Sequence, residues 1–177
     1  DLDSYGCVML DVDIELTQYQ NIISQDDLFS DGEYSGKVDA PHVTLLYGLT
    51  QSYKLDEIEK IVSKESFDNI VLKDVIVFGN DERDVLVFEV DKTSNLVNSN
   101  KSLRDNLEYY SEYPEYKPHV TICYVKAGLG QNYKEKILDT FKDSFPINCK
   151  ISGLFYSDIS GEEFHEPLMF TKINEKN

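Results

Sequence analysis

Alternating and helical patterns of apolar residues divide the chain into strands and helices. Residues 6–14 alternate between apolar and other side chains, which predicts a half-buried strand. Similar or shorter apolar runs predict further strands at 42–48, 70–78, 84–91, 119–125, 148–156 and 167–172. Apolar residues spaced by three and four predict helices over 15–24, 54–65, 94–108 and about 133–141, the last ended by Pro146. Acidic segments with glycine, at 25–39 and around His165, are expected to be surface loops.

The order of these elements predicts an α+β fold. Strands and helices are mixed, without the regular βαβ alternation of a parallel sheet. No linker rich in Gly, Pro or Ser interrupts the chain, so we expect a single domain over residues 1–177. The first residue is Asp1 rather than Met, which fits a trimmed start or excision from a longer chain.

The charge of the chain limits its partners. Thirty-three acidic residues against 17 basic ones give a formal net charge of −16. Long nucleic acids and anionic membranes are bound through clustered cations, so the acidity argues against both as partners. No apolar run approaches the roughly 20 residues of a membrane span and no signal peptide is recognisable, so we expect a soluble protein. An odd set of three cysteines without a CxxC pair predicts buried thiols in a reducing, cytoplasmic setting.

One internal repeat stands out. Residues 41–47 read PHVTLLY and residues 118–124 read PHVTICY, 77 positions apart, and each copy coincides with a predicted strand. Because side chains alternate along a strand, His42 and Thr44 share one face. His119, Thr121 and Cys123 share a face in the second copy by the same rule. A two-lobed fold with approximate two-fold symmetry brings both His-x-Thr faces together across a cleft.

Two imidazoles and two hydroxyls in one place suit phosphodiester chemistry. Imidazole titrates near neutrality, so a pair can supply one base and one acid, while the hydroxyls donate hydrogen bonds to phosphate oxygens. A single His-x-Thr is usually a packing feature, but two copies in matched context indicate a functional pair. A metal centre is not expected, because two histidines with hydroxyls are poor zinc ligands and no His/Asp/Glu cluster adjoins either copy. No cofactor is expected either.

The paired PHVT segments resemble the two HxT motifs of the 2H phosphoesterase superfamily, whose members include LigT-like RNA cyclic phosphodiesterases. The strand YGCVMLDVDI, the acidic loop after the first helix and PHVTLLYGL resemble, more closely, a phage-encoded branch that degrades cyclic oligonucleotide signals of bacterial antiviral (CBASS) defence. This resemblance spans nearly the whole chain. It implies a bilobal α+β fold of two pseudo-symmetric antiparallel sheets flanked by helices around a central cleft.

The resemblance also implies roles for the repeated residues. His42, Thr44, His119 and Thr121 match the catalytic positions of the family. One histidine activates water or a ribose 2′-OH, the other protonates the leaving oxygen, and the threonines hold the phosphate, all without a metal. Which histidine has which role stays open.

Further residues are candidates for substrate contacts. Tyr5 is placed to stack on a base, Lys117 to meet a phosphate, and Glu163 to accept a hydrogen bond from an exocyclic amine. Lys126 is a second cation near the second motif. His165 has Pro167 rather than Thr two residues on, so it is not expected to act in catalysis.

Three functions remain open from the sequence. The favoured one is a metal-independent phosphodiesterase that hydrolyses 3′,5′-linked cyclic di- or trinucleotides in a bacterial host cytoplasm. The first alternative is a LigT-like enzyme that opens 2′,3′-cyclic phosphates on RNA ends or nucleotides. The second is a sponge that binds a cyclic nucleotide without cleaving it. The high negative charge favours a compact nucleotide over an RNA tract as the ligand.

Overall fold

The computed structural model describes residues 4–31 and 36–168. Its strands are β1 (Gly6–Asp13), β2 (His42–Leu49), β3 (Asn69–Gly79), β4 (Arg83–Val90), β5 (His119–Lys126), β6 (Ile147–Ser157) and β7 (Glu163–Glu166). Its α-helices are α1 (Thr17–Gln20), α2 (Leu55–Val62), α3 (Ser94–Asn106) and α4 (Gly130–Phe141). Two short 3₁₀ helices cover Gln25–Asp27 and Lys142–Ser144.

The strands form one antiparallel sheet in the order β1-β2-β5-β4-β3-β6-β7, and β1 pairs with β6 as well. Strand β6 connects β3 to β1. Its first residues pair with β3, and the remainder of the strand pairs with β1. On the other side, β2 meets β5 at the single pair Val43–Val120. The sheet therefore consists of a β2-β1-β6-β7 half and a β5-β4-β3 half, joined through β6 and through this one pair.

The two halves of the chain repeat one order of elements, β1-α1-β2-α2-β3 and then β4-α3-β5-α4-β6, so the last strand of each repeat lies in the other half of the sheet. Helix α3 packs on β2 and α2 on β6, while α1 packs on β5 and α4 on β3 and β4. One hydrophobic cluster contains buried residues of both halves, among them Val43 and Val120. The helices thus cover the Val43–Val120 face of the sheet, and the side chains next to these valines in each strand point to the opposite face.

The expected α+β fold is confirmed. The two antiparallel sheets expected from the resemblance are the two halves of one seven-stranded sheet, and three elements differ in detail. The first helix is only Thr17–Gln20, because the chain turns there to pair Leu28 and Lys37 with β5. Helix α4 begins at Gly130, earlier than the predicted start at about 133, and ends at Phe141 as predicted, where a 3₁₀ turn follows. The last strand within the described residues is β7; residues 169–172 of the strand expected at 167–172 lie outside them.

Strand β7 lies in a segment that the sequence analysis predicts to be an acidic loop. It is a short, charged edge strand that pairs with Leu154–Ser157 of β6. Charged side chains on an edge strand are common because they protect the unpaired edge, and they remove the apolar pattern that predicts a strand.

Two further sequence expectations concern burial and membranes. The three cysteines are free and buried, as predicted. Within residues 4–31 and 36–168, no helix is long and apolar enough to cross a membrane.

Candidate active site

The two HxT segments lie side by side where the halves of the sheet meet. The antiparallel pair Val43–Val120 sets His42 across from Thr121 and Thr44 across from His119. Both valines are fully buried against the helices, whereas the two histidines and two threonines are half-buried on the opposite face. The structure thus brings together the four side chains that the repeat singled out.

The two imidazole rings are held in the same way. Nδ1 of His42 lies 3.2 Å from the carbonyl oxygen of Ala40, and Nδ1 of His119 lies 2.8 Å from that of Lys117. A carbonyl oxygen only accepts hydrogen bonds, so in each neutral ring Nδ1 carries the proton. Nε2 is then the atom of each ring that can take up or release a proton.

Each histidine packs edge-on against a phenylalanine. The ring centroids of His42 and Phe155 are 6.0 Å apart at 79°, and those of His119 and Phe78 are 5.1 Å apart at 78°. The sequence reasoning missed both phenylalanines. The signal was present, because positions 78 and 155 are separated by the same 77 residues as the two motifs.

Burial lowers the pKa of both histidines below its ordinary value. For His42 this effect is partly opposed by the Ala40 hydrogen bond and by the carboxylates of Asp11 and Glu163, while the charge of His119 adds to it. For His119 only the Lys117 hydrogen bond opposes burial. Both rings therefore favour the neutral form in the free protein, and a bound phosphate, being an anion, favours return of a proton.

A β-bulge follows each motif and changes which side chains face the site. Leu45 has no partner between the pairs Met9–Thr44 and Val8–Leu46, and Ile122 has none between Val87–Thr121 and Leu86–Cys123. An extra residue in a strand shifts the alternation of the side chains that follow it.

The bulge corrects the strand-alternation prediction for Cys123. This thiol belongs to the hydrophobic core and does not share the His119 face, and burial raises its pKa to about 12. Simple alternation puts Tyr47 and Tyr124 on the face opposite the motif histidines, but the bulges bring both to the site face; Tyr47 is 57% exposed.

An amide side chain satisfies the backbone of each bulge. Nδ2 of Asn100, from α3, donates to the carbonyl oxygen of Leu45 at 2.6 Å. Nε2 of Gln20, from α1, donates to the carbonyl oxygen of Ile122 at 2.9 Å. Both amides are buried, so the bulges are built into the packing of the two halves in matching ways.

Aromatic clusters flank the four central residues in both halves. Tyr5, a predicted base-stacking residue, contacts Tyr47 with ring centroids 5.8 Å apart and stacks on Tyr110 at 6.4 Å. In the other half, the guanidinium of Arg83 lies 4.9 Å from the ring centroid of Tyr124. The structure therefore places Tyr5 in an aromatic surface beside the site, next to Tyr47 and Tyr110, neither of which the sequence analysis proposed as a substrate contact.

Strand β7 brings Glu163 and His165 to the His42 side of the site. His165 Nδ1 lies 3.2 Å from Oδ2 of Asp11, whose backbone pairs with that of His42. The His165 ring packs on Phe155 with centroids 4.2 Å apart. His165 is thus a neighbour of the site without being part of an HxT motif, and Glu163 is exposed on the same strand.

The predicted cations lie on different sides of the second motif. Lys117 lines a cavity of about 850 Å³ that also reaches Thr44 and His119, whereas Lys126 is exposed at the far end of β5 and does not line it. In the described part of the chain, no group of three or more His, Cys, Asp or Glu is arranged to hold a metal ion.

Comparison with known proteins gives a family and a fold. Residues 23–162 match the family model of the 2′-5′ RNA ligase superfamily. No curated protein matches the chain in sequence. Among solved structures, Usb1 of Kluyveromyces marxianus is similar with a TM-score of 0.57 at 12% identity, over 93% of this chain and 98% of that one.

A second solved structure, E. coli LigT complexed with NADP⁺, has a TM-score of 0.50 at 15% identity, over 93% of this chain and 95% of that one. At these identities the similarity establishes the fold. The family match covers well over half of the chain and includes both HxT segments. The chain belongs to the 2′-5′ RNA ligase superfamily, the 2H phosphoesterases.

Proposed function

We propose that this protein is a metal-independent phosphodiesterase that hydrolyses 3′,5′-linked cyclic di- or trinucleotide signals and thereby counters bacterial antiviral (CBASS) immunity. Membership of a phosphoesterase family supports the reaction class. One observation carries the assignment to these residues: two imidazoles with Nδ1 bound to the backbone, and two threonines, converge on one face of the sheet.

In the proposed reaction, Nε2 of one neutral histidine takes a proton from water or from the ribose 2′-OH as that oxygen attacks phosphorus. Nε2–H of the other histidine gives its proton to the leaving ribose oxygen as the P–O bond breaks. Thr44 and Thr121 donate hydrogen bonds to the non-bridging oxygens, where negative charge develops. At the end of the reaction, the histidine that acted as base carries the extra proton and the one that acted as acid has lost it. Proton transfer to and from solvent restores the starting states.

The flanking residues support a nucleotide as the substrate. Tyr5, Tyr47 and Tyr110 offer aromatic faces on which a base can stack, and such stacking contributes about 1–3 kcal/mol per base. Glu163 is proposed to accept a hydrogen bond from an exocyclic amine, and Lys117 to contact a phosphate. The structural relative Usb1 has been solved with uridine monophosphate, which supports a small nucleotide as the ligand class.

The experiment that tests this function is incubation with a cyclic dinucleotide and, separately, with 2′,3′-cyclic AMP, both in EDTA, followed by chromatography of the products. Cleavage of the cyclic dinucleotide in EDTA is the expected result. Cleavage of the 2′,3′-cyclic ester alone transfers the assignment to a LigT-like activity. Tight binding with intact ligand recovered identifies a sponge, and activity that EDTA abolishes and zinc restores contradicts the metal-independent mechanism.

A further inference from the structure

A cavity opens beside the HxT pair because β2 and β5 diverge. Beyond the pair Val43–Val120, the segment that precedes the second motif, and not β5, forms hydrogen bonds to the edge of β2. Tyr110 N donates to the carbonyl oxygen of Gly48, and the Tyr116 hydroxyl donates to that of Thr44. Between β2, the end of β3 and residues 109–117 lies a space of about 850 Å³, near the upper end of the ~300–1,000 Å³ typical of small-ligand sites.

The walls of this cavity are aromatic and carry positive charge. Tyr47 and Tyr113 are 57% and 80% exposed, and Phe78 lines the space next to His119. Its charged lining residues are Arg104, Lys117 and Glu115, and Glu115 lies 3.8 Å from Lys92 outside it. Among the described residues that line the cavity, two cations thus face one carboxylate, in a chain of net charge −16.

The cavity lies on one side of the four HxT residues. It reaches Thr44 and His119, and neither His42 nor Thr121 lines it. A phosphate held between the four HxT residues therefore has the cavity on one side only. A mononucleotide has one phosphate and fills the HxT site with it, whereas a cyclic dinucleotide carries a second, anionic phosphodiester.

We propose that this cavity binds the second nucleoside phosphate of the substrate, with Lys117 and Arg104 contacting the phosphate that is not cleaved. The proposal rests on the proposed function and deepens it by assigning residues to the phosphate that is not cleaved. The exposed rings of Tyr47 and Tyr113 provide stacking surfaces for the second base. The two cations provide charge-assisted hydrogen bonds to its phosphate.

The test measures binding of cyclic di-AMP and of AMP by calorimetry to a His42→Asn protein, which lacks one HxT imidazole and leaves the cavity lining intact. Adding Lys117→Ala or Arg104→Ala is expected to weaken cyclic di-AMP binding about 5- to 20-fold and AMP binding less than about 2-fold. Lys126→Ala is the matched control, since it removes one exposed lysine outside the cavity, and we expect it to leave both affinities unchanged.

The outcomes separate this proposal from the proposed function. If the unaltered protein cleaves cyclic di-AMP but Lys117→Ala and Arg104→Ala bind it as tightly as Lys126→Ala, the cavity assignment is wrong and the function stands. Equal weakening of cyclic di-AMP and AMP also overturns it, because the cations would then serve the HxT phosphate. If the unaltered protein neither binds nor cleaves cyclic di- or trinucleotides, the proposed function fails and this proposal falls with it.

Discussion

Replacing each motif histidine by asparagine separates its chemistry from its structural role. The Asn amide nitrogen occupies nearly the position of Nδ1, so it can keep the donor hydrogen bond to the carbonyl of Ala40 or Lys117. It places nothing at Nε2 and does not titrate near neutrality. His42→Asn and His119→Asn should therefore retain the backbone contact while losing proton transfer.

The expected magnitudes follow from these contacts. Loss of a general acid or base lowers kcat by about 10²–10⁴, or roughly 2.7–5.5 kcal/mol of transition-state stabilisation. On the stability side, the variants lose the edge-on packing against Phe155 or Phe78, about 0.5–1.5 kcal/mol. The double variant should be little slower than either single one, because groups that act as a unit are not additive.

The assay is steady-state cleavage of a cyclic dinucleotide in EDTA, with thermal unfolding measured in parallel. His165→Asn is the matched control, since the same substitution at the third histidine keeps a donor towards Asp11 and touches neither motif. We expect the control to retain kcat within about 3-fold. Either motif variant retaining more than about a tenth of the wild-type kcat while folded would refute the two-histidine mechanism.

Four further predictions concern the phosphate donors, the pH dependence of activity, the pH dependence of stability, and the close approach of Tyr110 to Gly48. Thr121→Val should lower kcat about 10- to 10³-fold with unchanged folding and Thr121→Ser should restore most of it, since the hydroxyl is the donor; equal rates for the two variants would contradict this role. Because burial lowers the pKa of both motif histidines, the proton-donating form is lost at lower pH than for a free imidazole. A pH–rate profile should therefore show kcat/KM already falling as pH rises towards about 6.5, and a fall that begins only above that pH would contradict this reasoning. The same lowered pKa values mean that the unfolded chain binds more protons, so the free energy of unfolding should decrease as pH falls through about 6.5, measured by urea denaturation, and less so in the two Asn variants. Gly48→Ala should destabilise the protein by about 1–3 kcal/mol in thermal unfolding, because Gly48 has φ +104° and a Cβ there would lie 2.1 Å from the carbonyl oxygen of Tyr110; an unchanged melting temperature would show that the Tyr110 segment yields freely.

Much of the fold and the centre of the site could be predicted from the chain. Strand β1, the hairpin of β3 and β4, and helices α2 and α3 follow local apolar periodicity, which depends only on neighbouring residues. The repeated PHVT segments named His42 and His119, and strand alternation put each histidine on the same face as its threonine. Local geometry was sufficient there because no bulge lies between His and Thr in either copy.

What lies around that centre depended on pairing between distant segments. The bulges at Leu45 and Ile122 arise from register against β1 and β4, so alternation within one strand misplaced Cys123 and Tyr47. The sequence by itself determined the four HxT residues and which of them share a strand face, because that needs only two strands of known parity. Only the tertiary structure decided what surrounds them, because cross-strand register and the divergence of β2 from β5 are properties of the whole sheet. These surroundings are the Phe78 and Phe155 rings, β7 with His165, and the cavity at Lys117.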